Sequence, residues 1–375
     1  MPRSPAQPAT PAPATLAALA GRGPAPPVPG TTTRAPTTDD LERVVALFAA
    51  AGSGRGSDAP TLRREDLRTR WLLLDTLDDA VLIAPVPDDG PLLAYGSAPV
   101  DVEVAPSTGQ LEAVVHLEGE VHPGHRGHGL GTFLLDRAVA TGHAALTAAA
   151  DADAHTDPDP DTEVSPHQAL VRVRTALVDP TPQEHAWFAD RGFTPVRHLL
   201  ELRLDLHAPP PTPRWPSGVT VRTFRPGADE DVLWRTHQAA FADVPTHLPI
   251  GRDDFLHDRA PGDDPELVLL AEHGHPAPEV VAVAVCRAGT DFAAEEGWVR
   301  DLGVLPAWRR RGVAMALLRQ AFAAFRQRGL TGVALEVDDV TLDGAVALYR
   351  RAGMRVTHRT DVLERTTPVA RPGPH

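Results

Sequence analysis

Read for the spacing of its apolar positions, the chain alternates between two patterns. Ala314, Leu317, Leu318, Ala321, Phe322 and Phe325 recur at the i, i+3, i+4, i+7 intervals of a helix with one buried face. Thr38-Asp39-Asp40 supplies N-cap chemistry for another helix carrying Leu41, Val44, Val45, Leu47 and Phe48. Short apolar runs at 80–86, 92–98 and 111–121 predict a meander of paired strands. In the second half the pattern predicts a strand over Val219–Phe224, helices near 228–242 and 253–259, and strands at 266–272, 279–286 and 297–304. Strands and helices are mixed throughout, so the fold class expected is α/β.

The pattern fades at three places. Residues 1–36 are Pro, Ala and Thr with scattered Gly, too little apolar surface to offset chain entropy, and are expected to form a disordered tail. The stretch HAPPPTPRWPSG (207–218) has five prolines in twelve residues and reads as a semi-rigid linker. The last residues, 368–375, read as another loose end. The expected organisation is therefore an N-terminal domain over 37–206, the linker, and a C-terminal domain over 219–367.

The two halves resemble each other. Val121-His122-Pro123 runs into HRGHGLG and a helix; Val304-Leu305-Pro306 runs into RRRGVA and a helix. Gly129 and Gly312 are 183 residues apart, and that offset lays Leu134 and Leu135 on Leu317 and Leu318. WFADRGF (187–193) corresponds to LYRRAGM (348–354), but Gly192 and Gly353 are only 161 apart, so the first half carries 22 additional residues between these landmarks. The segment 151–168, with six acidic residues, three prolines and no Lys or Arg, supplies most of them and is expected to be a flexible surface insertion.

Composition then removes several chemistries. All 36 basic residues are arginine, and asparagine is absent too; a GC-rich codon supply accounts for both. A Schiff-base lysine, a P-loop lysine and a catalytic Asn are thereby excluded. A single cysteine, Cys286, excludes an intrachain disulfide and a Cys-rich zinc site, and its strand VVAVAVCRAG suits a small buried hydrophobe. Net charge of −14 argues against a nucleic-acid partner held by phosphate neutralisation. With neither a long apolar run nor a signal peptide, no membrane partner is expected and the location expected is cytoplasmic. His116, His122, His125 and His128 cluster around the first loop, but their Pro-Gly spacing does not suit a zinc site, and no metal is expected.

A strand followed by R-x-x-G-x-G/A and a helix forms a pyrophosphate cradle. The first helical turn leaves backbone N–H groups unpaired and partly positive, and glycine lets a phosphate approach them. The segments DLGVLPAWRRRGVAMALL (301–318) and ALEVDDVTLDGAVALYRRAGM (334–354) resemble the GNAT superfamily of acyl-CoA-dependent N-acyltransferases. EGEVHPGHRGHGLGTFLL (118–135) and AWFADRGF (186–193) do so less closely. The tandem arrangement, with WRTHQAAFADVP (234–245), is similar to the mycothiol synthase branch, whose two-domain members acetylate the amine of a cysteinyl pseudodisaccharide.

The resemblance implies two GNAT-like domains, each a mostly antiparallel mixed sheet flanked by helices. It implies acetyl-CoA as co-substrate, with Leu302, Gly303 and Val304 pairing with the pantetheine arm as an added strand would. Arg309, Arg310, Arg311, Gly312, Val313 and Ala314 would hold the pyrophosphate. Tyr349 matches the tyrosine that protonates the departing thiolate. In the first half Phe188 stands where Tyr349 stands in the second, so chemistry is assigned to the C-terminal domain. The N-terminal domain is then a degenerate copy that either binds CoA through Arg126, Gly127, His128, Gly129, Leu130 and Gly131 or is structural only. The position where relatives often place a basic Glu or His holds Trp298, which leaves Asp301, Glu296 or Glu295, a water chain, or an amine that arrives neutral. A further departure is Leu342, where many relatives have Asn.

The function expected is direct transfer of an acetyl group from acetyl-CoA to the primary amine of a small molecule by a monomer or weak dimer. The acidic surface suits a cationic acceptor. The alternatives are acetylation of a cysteinyl pseudodisaccharide, another acceptor of the superfamily, and a CoA sensor that does no chemistry.

Overall fold

The computed structural model describes residues 28–52, 64, 67–68, 71, 77–105, 109–153, 169–244, 249–259, 264–289, 295–338 and 344–369. Most of the tail segment 1–36, the bulk of the insertion 151–168, Leu342 and residues 370–375 lie outside them. The chain forms two compact units, one of residues 1–196 with 361–375 and one of residues 197–360.

The first unit contains β1 (Thr31–Arg34), α1 (Leu41–Gly52), β2 (Ala80–Pro85), β3 (Ala94–Ser97), β4 (Val100–Val104), β5 (Leu111–His116), β6 (Glu118–Val121), α2 (Leu130–Asp153), β7 (Ala169–Val178) and α3 (Pro182–Ala189). Its strands lie in the orders β1-β2-β3-β6 and β4-β5-β7, antiparallel except for β5 with β7. Thr31–Arg34, assigned above to the tail, is a strand instead. The reason is a side chain at its end: Arg34 donates through both terminal nitrogens to the buried Asp40 carboxylate at 2.6 Å, anchoring β1 to the start of α1.

The chain enters the second unit within β8 (Thr194–Asp205) and continues through β9 (Val219–Thr223), α4 (Glu230–Phe241), α5 (Arg252–Arg259), β10 (Val268–His273), β11 (Glu279–Ala288), β12 (Glu296–Val304), α6 (Val313–Gln327), β13 (Gly332–Asp338), α7 (Ala345–Arg351) and β14 (Arg355–Val369). Strand order is β8-β13-β12-β11-β10-β9, with β12 and β13 parallel and their neighbours antiparallel. Leu317, Phe322 and Phe325 of α6 bury one face of this sheet with Ala282, Ala284 and Cys286. Leu233 of α4 and Phe255 of α5 bury the other with Val283 and Val285.

Unit boundaries differ from those read along the chain. β8 beyond Val196 pairs with β13, while Asp361–Val369 belongs to the first unit, so each unit takes a strand from the other's stretch of sequence. Strand periodicity fixes which face is buried but not which sheet a strand joins. The Pro-rich stretch 207–218 carries neither helix nor strand, yet Trp215 packs against the core and Arg326 donates to the His207 carbonyl at 3.1 Å. Among the described residues no helix is long and apolar enough to cross a membrane.

The strand-to-helix tie of the first unit recurs in the second. Arg222 on β9 and Arg225 hold the Asp229 carboxylate, and the Arg225 backbone N–H donates to it at 2.7 Å. Asp229 is 1% exposed. Burial pushes its carboxyl up, but the hydrogen bonds from Arg225 and Arg222 outweigh this and hold it well below the ordinary 3.8. A depressed folded-state value means that the stabilisation is complete above the unfolded value and is lost as pH falls through the folded one. Asp229→Asn should therefore cost ~3 kcal/mol at pH 7 and roughly 6–12 °C in melting temperature. The deficit should shrink as pH is lowered below about 3.8. Thermal melts of both proteins across that range check this; a deficit that does not vary with pH would contradict it.

Candidate active site

The site is built around β12. Its parallel register with β13 covers only Glu296↔Gly332, Gly297↔Val333 and Trp298↔Ala334, although β12 continues to Val304 and β13 to Asp338. Beyond Ala334, β13 stays with β8, and beyond Trp298, β12 stays with β11. The two strands thus diverge, and from Val299 onward the β12 edge on the β13 side has no strand partner among the described residues. Unpaired strand edges take an added extended chain.

A bulge sets which side chains face this opening. On β11, Val285 pairs with Asp301 and Cys286 with Val299, so Arg300 is the extra residue. The bulge flips the alternation. Trp298 and Asp301, three residues apart, consequently share the face covered by α4, while Val299 faces α6 in the core. Gly303 lies on the α4 face, where an added Cβ would sit 2.9 Å from Phe241 and 3.0 Å from Ala240, so only glycine lets α4 approach this closely.

At the end of β12 the chain makes a 3-10 turn, Pro306–Trp308, and enters α6. Arg310 has φ +60° and Gly312 φ +89°. The first unit repeats the loop: a 3-10 turn over Pro123–His125, then Gly127 at φ +81° and Gly129 at φ +84° before Leu130. The offset of 183 places 127 on 310 and 129 on 312. The shared backbone, rather than the glycines, is therefore what the repeat preserves. A Cβ on Gly312 would meet no heavy atom within 4 Å, which leaves open space over the first turn of α6. There the N–H groups of Val313 and Ala314 precede the first intrahelical bond, from Ala316 to Gly312, so they are free to face an anion.

The three arginines do different things. Arg309 donates to both Asp243 oxygens, at 2.5 and 2.8 Å, and to the carbonyls of Ala240 and Val304, so its side chain ties α4 to the loop. Its counterpart Arg126 reaches the Val121 carbonyl and Glu120 in the same manner. The Arg311 guanidinium lies over the Trp308 ring at 4.9 Å. Arg310 holds the left-handed turn.

Tyr349 is carried by α7, which begins at a left-handed Gly344. It is 9% exposed; burial and then the nearby Asp301 charge push its phenol up to about 12. The hydroxyl is therefore protonated at neutral pH and able to donate. Phe188 holds the matching position in the first unit: its carbonyl accepts from Phe193, as the Tyr349 carbonyl accepts from Met354. Its ring packs on Trp187 and Phe193.

Of the candidate carboxylates, Asp301 is the one brought within electrostatic reach of Tyr349. Glu296 lies five residues back along β12, on the order of 16 Å away, ion-paired with Arg203 of β8. Glu295 is exposed just before the strand. Two groups escaped the sequence reading. His237 of α4 lies 3.4 Å from Asp301; it is inside WRTHQAAF, where a lone histidine on an apolar helix face was the available signal. Glu336 of β13, on the face of Trp298 and Asp301, is exposed to solvent. The signal there was the polar residue breaking the apolar run ALEVD. Cys286 is buried in β11 beside Asp301 with its thiol pushed up by desolvation and by that charge, which leaves it unreactive. In the first loop His122, His125 and His128 stand ring to ring at 5.6 and 6.5 Å, and among the described residues no cluster could hold a metal ion.

This geometry can be set beside known proteins. The acetyltransferase (GNAT) family matches residues 231–354. A mycothiol acetyltransferase of Salinispora arenicola is 31% identical over 323 residues, 84% of this chain and 89% of that protein. A crystal structure of a GCN5-related N-acetyltransferase from Sphaerobacter thermophilus superposes with a TM-score of 0.71 at 30% identity, covering 90% of this chain and 96% of its own. A tandem GNAT protein from the clavulanic acid biosynthesis pathway shares the fold over 92% of this chain and all of its own, with a TM-score of 0.55 at 14% identity. With the diverging strands, the cradle at Gly312 and Tyr349 in the second unit, these likenesses make the chain a member of the GNAT family of acetyltransferases.

Proposed function

We propose that the second unit transfers an acetyl group from acetyl-CoA directly to the primary amine of a small molecule. The observation that carries this reading is the convergence, at the diverging edge of β12, of an open anion cradle, a protonated buried phenol and one carboxylate. Helix N-terminal N–H groups and the space over Gly312 suit a pyrophosphate, and the unpaired edge from Val299 to Val304 suits the amide-bearing arm that follows it.

With donor and acceptor bound together, the amine nitrogen attacks the thioester carbonyl carbon and the tetrahedral oxyanion takes a hydrogen bond from a backbone N–H of the Leu302–Val304 edge. The nitrogen gives its proton to the Asp301 carboxylate. The carbon–sulfur bond then breaks, and the Tyr349 hydroxyl protonates the departing thiolate. Asp301 and Glu336 also favour an acceptor that arrives as an ammonium ion and sheds one proton to solvent before it attacks, in keeping with the net charge of −14. A narrower second reading takes its support from relatives named mycothiol acetyltransferase: the acceptor is then the cysteinyl pseudodisaccharide of that branch.

Thiol release from acetyl-CoA over a panel of amines, with cysteinyl glycosides and aminoglycosides included, tests the activity. Amine-dependent release is expected; CoA binding without release for any amine would favour a sensor. Tyr349→Phe should lower kcat by about 10²-fold with KM for acetyl-CoA within twofold, whereas Phe188→Leu should leave both unchanged. The reverse pattern would move the chemistry to the first unit. Gly312→Val should raise KM for acetyl-CoA at least tenfold by filling the cradle, and since φ there is +89° it should also cost about 1–2 kcal/mol of stability. Steady-state kinetics alongside thermal melts separate the two effects; an unchanged KM would remove the cradle from donor binding.

A further inference from the structure

His237 is an unusual occupant of a packed helix face. Its side chain is 3% exposed, with Phe241 and Phe255 stacked against the ring at centroid distances of 4.6 and 4.8 Å. An apolar residue would fill this space without the cost of burying an imidazole. The histidine instead has a polar contact at each ring nitrogen. Nε2 lies 3.4 Å from Asp301 Oδ1, and Nδ1 lies 3.4 Å from Gln238 Nε2.

The Gln238 contact selects the tautomer. Gln238 Oε1 accepts the Ile250 backbone N–H, which turns the amide's NH₂ group toward His237. Nδ1 is then the acceptor, and the ring proton sits on Nε2, which faces Asp301 at ion-pair distance without closing a hydrogen bond in this structure. Only Asp301 has access to the opening: its side chain is 14% exposed against 3% for the imidazole. The other titratable groups near the pair are Glu336, on the α4 side of β13, the neutral Tyr349 phenol on α7, and the neutral Cys286 thiol, on the opposite face of β11. α5 presents Phe255, and α4 itself presents Phe241 and Gln238.

We propose that His237 is a positioning residue for acceptor-side proton transfer, holding the Asp301 carboxylate at the diverging edge from its Nε2 side so that the pair replaces the base missing at Trp298. The proposal rests on the acetyl-transfer reading given above. The proton leaving the amine goes to Asp301; the imidazole against it keeps that carboxylate aimed before transfer, and after product leaves Asp301 passes its proton through solvent to the Tyr349 phenolate, which restores both groups.

The test compares His237→Phe, which fills the space between the two phenylalanines, with His237→Gln, which keeps an N–H donor. The assay is acetyl transfer to the fastest acceptor among cysteinyl glycosides and aminoglycosides. His237→Phe should leave KM for acetyl-CoA within twofold, lower kcat at least tenfold and move the acid limb of the kcat/KM profile to higher pH by about one unit, because a carboxylate that loses a neighbouring N–H dipole is protonated more easily. His237→Gln should recover most of both. A folded His237→Phe with the wild-type kcat and acid limb, or a His237→Gln no better than His237→Phe, would overturn the proposal. Should His237→Phe fail to fold, NMR of the imidazoles at one fixed neutral pH decides: Asp301→Asn should move the His237 ring resonances, and unchanged resonances would overturn the pairing. Absence of transfer by the wild type to every amine would instead defeat the acetyl-transfer reading, and the proposal with it.

Discussion

Divergence of β12 from β13 after Trp298 is the constraint from which the site follows. Two parallel strands that stayed paired would spend their facing backbone groups on each other, and the sheet would present no edge in its middle. Because β13 continues on β8 and β12 on β11, the opening forms inside the sheet, with helices still covering both faces. The same departure brings the end of β12 to the 3-10 turn and the left-handed pair 310 and 312, so that strand edge and helix N-terminus lead into one another.

The bulge at Arg300 is the second consequence. With unbroken alternation, Trp298 and Asp301 would lie on opposite faces, and Asp301 would point toward α6 and the apolar core. One extra residue turns it to α4, where His237 meets it, and leaves it close enough to Tyr349 for its charge to raise the phenol. Acid and base candidates therefore come from one strand and two helices, and their spacing depends on packing that a glycine at 303 permits.

Much of this was legible in the sequence. The repeat register at Gly129 and Gly312, the apolar stripe of α6 and the substitution of Phe188 for Tyr349 are local patterns, and each has its structural counterpart in loop, helix and turn. What could not be read depends on contacts between residues far apart in the chain. Arg309 looked like a phosphate ligand because arginine after a strand is a local signal; its guanidinium is taken by Asp243, whose position depends on how α4 packs. Glu296 and Asp301 were equivalent carboxylates on one strand until the bulge and Arg203 distinguished them. Likewise, β8 and the end of β14 are ordinary strands whose choice of sheet is a long-range decision.

The central claim is that the diverging edge and the helix turn of the second unit together hold the acyl donor. Backbone hydrogen exchange with and without acetyl-CoA measures this most directly. Protection should appear together over Val299–Val304 and over Gly312–Ala316, the first turn of α6. Protection elsewhere in the second unit, with both segments exchanging as they do in the free protein, would contradict it.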